Sequence, residues 1–252
     1  MNNDKVRDRC AVFGVSINEN HKDYAADVTY NALLTMQHRG QEGAGIAVIN
    51  DKTINCKKGG GFVTEVFKEK TLTKMRGRIS VGHCLYSGKK KLNDDKQFLS
   101  NDSTPETKPE PESKTESESE EEIKLKAAED AQPFVTEYLT GRIATVLNGR
   151  ITNMLELRGE LMTYGLTFTG TTDGEVLSKL IAYYCMLYES VLEGVKYAAR
   201  QLEGCFSLIV MSTGTEDNKL IAVRDSSGFR PLCIGVSEEG TAVASESCAL
   251  DI

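Results

Sequence analysis

Cys10 precedes the run Gln37-His38-Arg39-Gly40-Gln41-Glu42-Gly43-Ala44-Gly45-Ile46 by a distance that fits one strand, one helix and a turn. Together they suggest a cysteine nucleophile facing a glycine-rich loop that carries an arginine. The thiolate is the reactive form, and a free cysteine with a pKa near ~8.5 supplies little of it at neutral pH, so it needs a base or a positive neighbour. If Cys10 became the first residue, its own α-amine, with a pKa of about 7.7–8.0, would reach the sulfur and shuttle the proton. Attack on an amide carbonyl also makes an oxyanion, which calls for a side-chain amide and a glycine N–H; Asn148-Gly149 offers that pair. Each feature has a plainer reading beside it. Cys10 in an apolar strand reads equally as a small buried hydrophobe, Asn148-Gly149 as a turn, and Arg39 as a side chain that ties a loop down.

The elements that must hold these residues follow from the apolar pattern. Cys-Ala-Val-Phe-Gly-Val-Ser from Cys10 reads as a first strand. Residues 25–37 read as a helix with Val28, Ala32, Leu33 and Met36 on one face and Gly40 just past its end. A strand is expected over 78–86, a hairpin over 134–138 and 142–147 turning at Thr140-Gly141, a helix capped by Thr152 that carries Leu155, Leu161 and Met162, and a longer helix over 173–188. Four apolar runs at 205–211, 219–224, 231–236 and 241–245 read as an antiparallel meander. Strands, then helices, then strands give an α+β class in which two mainly antiparallel sheets stack with helices outside.

Composition narrows the function classes. The net charge of -7 arises within residues 91–130, where 13 acidic residues meet 6 basic ones; the remainder is balanced. That stretch holds three of the five prolines and few apolar residues, so it reads as an acidic disordered insertion. A balanced globular remainder and an acidic loop argue against nucleic acid as a partner. No apolar run approaches the roughly 20 residues that cross a bilayer, and the start Met1-Asn2-Asn3-Asp4-Lys5 is no signal peptide, so no membrane partner and a cytoplasmic location are expected. Seven cysteines without a CxxC pair favour reduced thiols.

The chain resembles the class II glutamine amidotransferases, and within them the amidophosphoribosyltransferase branch. The resemblance rests on Cys10, on the arginine-glycine loop with Gln41-Glu42, on Lys58-Gly59-Gly60-Gly61-Phe62-Val63, on Asn148-Gly149, on Thr171-Thr172-Asp173-Gly174-Glu175, on Arg224-Asp225-Ser226-Ser227-Gly228-Phe229-Arg230-Pro231-Leu232 and on Ala244-Ser245-Glu246-Ser247-Cys248. It implies a four-layer αββα fold of the N-terminal-nucleophile type, residues 1–9 as a propeptide and 10–252 as a glutaminase domain, with 91–130 inserted. It implies glutamine as substrate, Cys10 as nucleophile, Asn148 and Gly149 as the oxyanion hole, Asp173 for the substrate ammonium (alone, Asp173 reads as a helix N-cap) and Arg39 as a positive charge at the pocket. Cys248 matches a cysteine that ligates an iron-sulfur cluster in part of the family, with ordinary packing as its other reading. No cofactor is expected within this chain; the cluster and Mg belong to a complete enzyme. A phosphoribosyltransferase domain, the partner that takes phosphoribosyl diphosphate, is expected beyond Ile252, and homo-oligomerisation stays open.

One motif departs. The family pattern Gly-His-x-Arg-aromatic-small-Thr, whose arginine and threonine grip the substrate carboxylate, reads here Gly82-His83-Cys84-Leu85-Tyr86-Ser87-Gly88. With both gripping side chains replaced, by Leu85 and Gly88, the other expectation is a non-catalytic binding or regulatory module.

Overall fold

The computed structural model describes residues 10–21, 23–86, 119–214 and 218–251. The expected propeptide, Ser87 and Gly88, and most of the acidic insertion lie outside the described residues.

Among the described residues ten strands form two sheets, all of whose neighbours run antiparallel. The larger has the order β3 (Thr53–Gly60), β2 (Gly43–Asn50), β4 (Ile79–Leu85), β1 (Ala11–Ile17), β10 (Gly240–Ala244), β9 (Cys233–Val236). The smaller has the order β5 (Phe134–Tyr138), β6 (Gly141–Ile151), β7 (Gly204–Gly214), β8 (Lys219–Arg224). Side chains alternate faces along a strand, and the burial follows that rule. Phe13, Val15, Ile46, Val48 and Cys84 face helix α1 (Ala25–Thr35), with Ala32 and Leu33. Val12, Ala47 and Val81 meet Ala144, Val146, Ile209 and Met211 between the sheets. Ile143, Leu147, Leu208 and Val210 face α5 (Met154–Thr163), α6 (Asp173–Tyr188) and α7 (Val191–Gln201). The result is helix, sheet, sheet, helix: the expected α+β class and αββα layering.

Local expectations fare unevenly. The 173–188 helix appears with those bounds, but its N-cap is Thr172, whose hydroxyl accepts from Glu175 N; Asp173 is the first helical residue. In α5 the buried positions are Met154, Leu157 and Leu161, while Leu155 and Met162 are exposed, and Thr152 binds the Glu203 carbonyl instead of capping. The last four strands are two hairpins in different sheets, because β7 and β8 extend the smaller sheet whereas β9 and β10 extend the larger. The end of the supposedly disordered segment is ordered: α4 (Glu120–Asp130) begins with a capping box in which Ser119 accepts from Glu122 N and Glu122 accepts from Ser119 N. Composition missed it because Ala127 and Ala131, small enough to pack on Gly43, supply its buried contacts.

Gln132 joins the two sheets. The β5–β6 ladder ends at Phe134 opposite Thr145, since Pro133 has no N–H to donate. One step further, the Gln132 side-chain amide takes the place of a strand, its Oε1 accepting from Leu147 N (2.6 Å) and its Nε2 donating to Leu147 O (3.1 Å). Its own carbonyl lies against Gly45 of the other sheet, so close that a Cβ there would sit 2.0 Å from the oxygen. Glu175 does comparable work at the start of α6. Its carboxylate accepts from Thr169 N (2.9 Å), Gly170 N (2.7 Å) and Lys179 Nζ (2.8 Å), fixing the loop that delivers Asp173.

Two outcomes follow from these linkages. Gln132→Leu leaves the buried N–H of Leu147 unpaired, at a cost of about 1–3 kcal/mol; chemical denaturation should show that loss, and an unchanged unfolding midpoint would refute the role. For Glu175, burial favours the neutral acid, but the bonds from Lys179, Thr169 and Gly170 prevail and bring the pKa from 4.5 down to about 2. A folded-state pKa below the unfolded one means stability that is fully present above about pH 4.5 and lost as pH falls toward 2. The stability gap between native protein and Glu175→Gln, read from urea unfolding at several pH values, should therefore be flat above pH 4.5 and close below it.

Candidate active site

Cys10 stands one residue before β1 with a left-handed φ of +65°, a conformation costing a non-glycine residue about 1 kcal/mol or more. Four bonds hold it there, one of them from the thiol to Tyr86 O (3.6 Å). Cys10 N donates to Arg39 O (3.2 Å), Arg39 Nε donates to Cys10 O (2.9 Å), and Tyr86 N donates to the sulfur (3.4 Å). The neighbours explain its acidity: burial raises the thiol pKa, the Tyr86 backbone and the charges of Arg230 and Arg39 lower it, Glu42 raises it, and the net direction is upward. Left as it stands, Cys10 is a weakly ionised thiol.

Arg39, in a 3-10 turn spanning Gln37–Arg39 after α1, spends its guanidinium on structure. Besides the Cys10 carbonyl, it reaches Glu246 through Nη1 at 2.5 Å and keeps 1% of its side chain exposed. A direct substrate contact through Arg39 has no surface to use; the loop-tying reading fits, and Arg39 positions Cys10.

Asn148 and Gly149 are not in a turn. They lie within β6, opposite Ser207 and Phe206 of β7. Strand alternation carries Asn148 along the row of Ala144 and Val146 into the gap between the sheets, as it carries Cys10 along the row of Gly14 and Val12. Both rows reach the same end of the sandwich. His83, opposite Val12, meets the backbone of Leu147, and Gly14 faces Ile209, whereas the far end is marked by Asn218 Nδ2 bonded to Asp51 O. The Asn148 side chain is fully buried and neither its oxygen nor its nitrogen has a partner among the described residues. The Leu147 N–H points at Gln132, so the Gly149 N–H two residues on points off the same edge of β6, past the last pairing partner. Gly149 must be glycine, since a Cβ would lie 2.2 Å from Cys205 O.

Asp173 comes from the smaller sheet's helical layer. Its carboxylate makes no hydrogen bond or ion pair among the described residues; partial burial raises its pKa and Arg150, next to Gly149, pulls it back. An unpaired anion thus senses a charge two residues from Asn148.

Leu85 follows Cys84, the partner of Ala11, so it occupies the place across from Cys10, and it is 6% exposed. His83 shares that face, fully buried; burial lowers its pKa to about 3, so it is a neutral imidazole. Sequence reasoning missed Gln132, Tyr86, His83 and Glu246. Tyr86 acts through its backbone and leaves no signal in residue type, and the partner of Gln132 is a main-chain pair. Glu246 was legible only as part of a motif.

Cys248 lies in a 3-10 turn spanning Ser247–Leu250, exposed, with Glu246 Oε2 3.6 Å from its sulfur. Among the described residues no group of three or more metal-binding side chains assembles anywhere.

Residues 119–251 match the family described as the glutamine amidotransferase domain. Similar curated proteins include the amidophosphoribosyltransferases of Methanocaldococcus jannaschii, 36% identical over 96% of this chain, and of Synechocystis, 35% identical over 99%. A solved glutamine phosphoribosylpyrophosphate amidotransferase from B. subtilis superposes with a TM-score of 0.72 at 29% identity, over 96% of this chain. The chain spans 43% of the length of each of these three. On the family match and the shared αββα fold, the chain belongs to the glutamine amidotransferase domain family.

Proposed function

We propose that this chain hydrolyses glutamine to glutamate and ammonia, with Cys10 as nucleophile, and that the ammonia serves a synthase half that converts phosphoribosyl diphosphate to phosphoribosylamine, as the relatives' names suggest. The observation that carries the reading is the buried, unpartnered amide of Asn148 at the same end of the sandwich as the Cys10 sulfur. A polar side chain left unpaired in a packed interior costs about 1–3 kcal/mol, a cost that a later hydrogen bond from substrate offsets.

The chemistry runs through this chain's own groups. The thiolate of Cys10 adds to the side-chain carbonyl of glutamine, and the negative charge moves to oxygen, toward Asn148 Nδ2 and the Gly149 N–H. Collapse of this intermediate expels ammonia, which takes the proton that the thiol gave up, and leaves a thioester. Water then adds to the same carbonyl, glutamate departs and the thiol re-forms. Asp173 takes the substrate ammonium. In this reading the nine residues before Cys10 are removed: the nitrogen that now donates to Arg39 O would become an amine, held beside the sulfur by that carbonyl and able to take the proton of a thiol whose pKa burial raises. A non-catalytic module is the second reading, favoured by one observation, the buried Leu85 across from Cys10 where the family carries arginine.

Treatment with an electrophilic glutamine analogue and intact-mass analysis decide between them. The expected result is a mature chain beginning at Cys10, labelled once, with labelling abolished in Cys10→Ala, and a kcat for glutamine hydrolysis lowered about 10²–10³-fold in Asn148→Ala. A chain that retains residues 1–9 and takes no label is the non-catalytic module.

A further inference from the structure

The site lacks its family's carboxylate-gripping arginine, yet a second guanidinium is brought to it from the smaller sheet. Ser207 is the β7 residue opposite Asn148 and lies on the same inter-sheet face, fully buried. Its hydroxyl sits 3.2 Å from the carbonyl of Arg230 and 3.1 Å from that of Pro231. Arg224 pins the same loop by donating Nε to Arg230 O (2.6 Å) and Nη2 to Gly228 O (2.6 Å). The backbone of Arg230 is therefore fastened beside Asn148.

The Arg230 side chain is the opposite: among the described residues it makes no hydrogen bond and no ion pair, and its Nε is buried without a partner. Its one contact of note is the ring of Phe229, 5.9 Å away, at the outer limit of a cation-π contact. The charge nonetheless bears on the nucleophile, lowering the Cys10 pKa more than Arg39 does, although Arg39 Nε is 2.9 Å from the Cys10 carbonyl. A half-buried guanidinium with open donors, beside a thiol and an unpaired amide, is costly to the fold and suited to an anion. Arg39 is not its equivalent, being spent on Cys10 and Glu246.

We infer that Arg230 binds the α-carboxylate of the amino-acid substrate, supplying from the smaller sheet the cation that Leu85 no longer supplies from the larger one. This rests on the reading of the site as one for glutamine and extends it. With Asp173 for the ammonium and Asn148 with Gly149 for the reacting carbonyl, the three polar ends of glutamine each meet a group of complementary chemistry, all presented by the smaller sheet and its connections.

The test compares L-glutamine with its α-carboxamide analogue, which keeps the reacting amide and the ammonium but has no carboxylate. The native protein should prefer glutamine by roughly 10- to 100-fold in KM. Arg230→Met should raise KM for glutamine by that factor and leave KM for the analogue unchanged, with any change in kcat the same for both compounds. Arg230→Lys should recover part of the preference, because the ammonium keeps the charge and loses the planar fork. Thermal unfolding of Arg230→Met should not fall below native, since no bond is lost. Calorimetric binding of both compounds to the Cys10→Ser protein, with and without Arg230→Met, reads the same preference without turnover. Native hydrolysis of glutamine with no preference over the analogue, a preference that survives Arg230→Met, or an effect confined to kcat or to its pH profile overturns the inference and leaves the glutaminase reading standing. Preference in binding that is lost with Arg230→Met in a protein that hydrolyses nothing upholds the inference and overturns the catalytic reading.

Discussion

A single buried guanidinium governs the geometry at the mouth of the two sheets. Arg39 holds Cys10 through both of its backbone polar groups, its Nε donating to the Cys10 carbonyl and its own carbonyl accepting from the Cys10 nitrogen, and Glu246 neutralises the charge. Three distant segments meet there: the turn after α1, the start of β1 and the turn after β10. Burying an arginine is tolerable only where its charge is paired and its donors are used. The left-handed backbone of Cys10 likewise persists only because its surroundings over-determine it. The interaction that stabilises this corner is the one that aims the sulfur.

The rest follows from stacking two twisted antiparallel sheets face to face. A strand sends alternate residues to opposite layers, so one choice of register decides which polar groups enter the inter-sheet space. Through most of that space the choice is aliphatic, with Val12, Ala47, Val81, Val146, Ile209 and Met211. At the Cys10 end the same rows continue into His83, which meets the backbone of Leu147, and Asn148, and Arg230 approaches on a loop; among the described residues the Asn148 amide and the Arg230 Nε are buried without a partner. Thr145 and Thr213 each leave one hydroxyl unpaired elsewhere on β6 and β7. An unpaired amide and an unpaired guanidinium nitrogen at one end of an otherwise apolar interior are what a polar ligand site looks like before the ligand arrives.

Much of this was legible in the sequence where local chemistry decides the outcome. The 173–188 helix was readable from its apolar spacing, and the hairpin at Thr140-Gly141 from its turn residues, because both signals are short-range. The last four strands were readable as strands, but their division between two sheets was not; that depends on which edge each hairpin finds, and nothing in residues 204–244 encodes the partner. Asn148-Gly149 misleads for a related reason. The pair suits a turn locally, but eleven consecutive partners on β7 hold it extended, and the close approach of Cys205 O selects the glycine. Helix α4 escaped notice because its charged composition describes its exposed face, and its packing onto Gly43 and Gly60 is a matter of missing side chains on another strand.

The substitution at Leu85 gains its meaning from the balance of charge around the sulfur. Burial opposes the thiolate, and Glu42 adds to that opposition. An arginine across from Cys10 would both hold a substrate carboxylate and favour the thiolate; leucine does neither and increases the apolar enclosure. The cations left to act on the sulfur are Arg39, already neutralised by Glu246, and Arg230, which no described carboxylate pairs. Moving the positive charge from the strand paired with β1 to the loop between β8 and β9, fastened to Ser207 of the smaller sheet, preserves its sign at the nucleophile while changing the direction from which an anion is held. Substrate orientation in this chain is thereby set by the sheet that carries Asn148, and the larger sheet is left to present the sulfur.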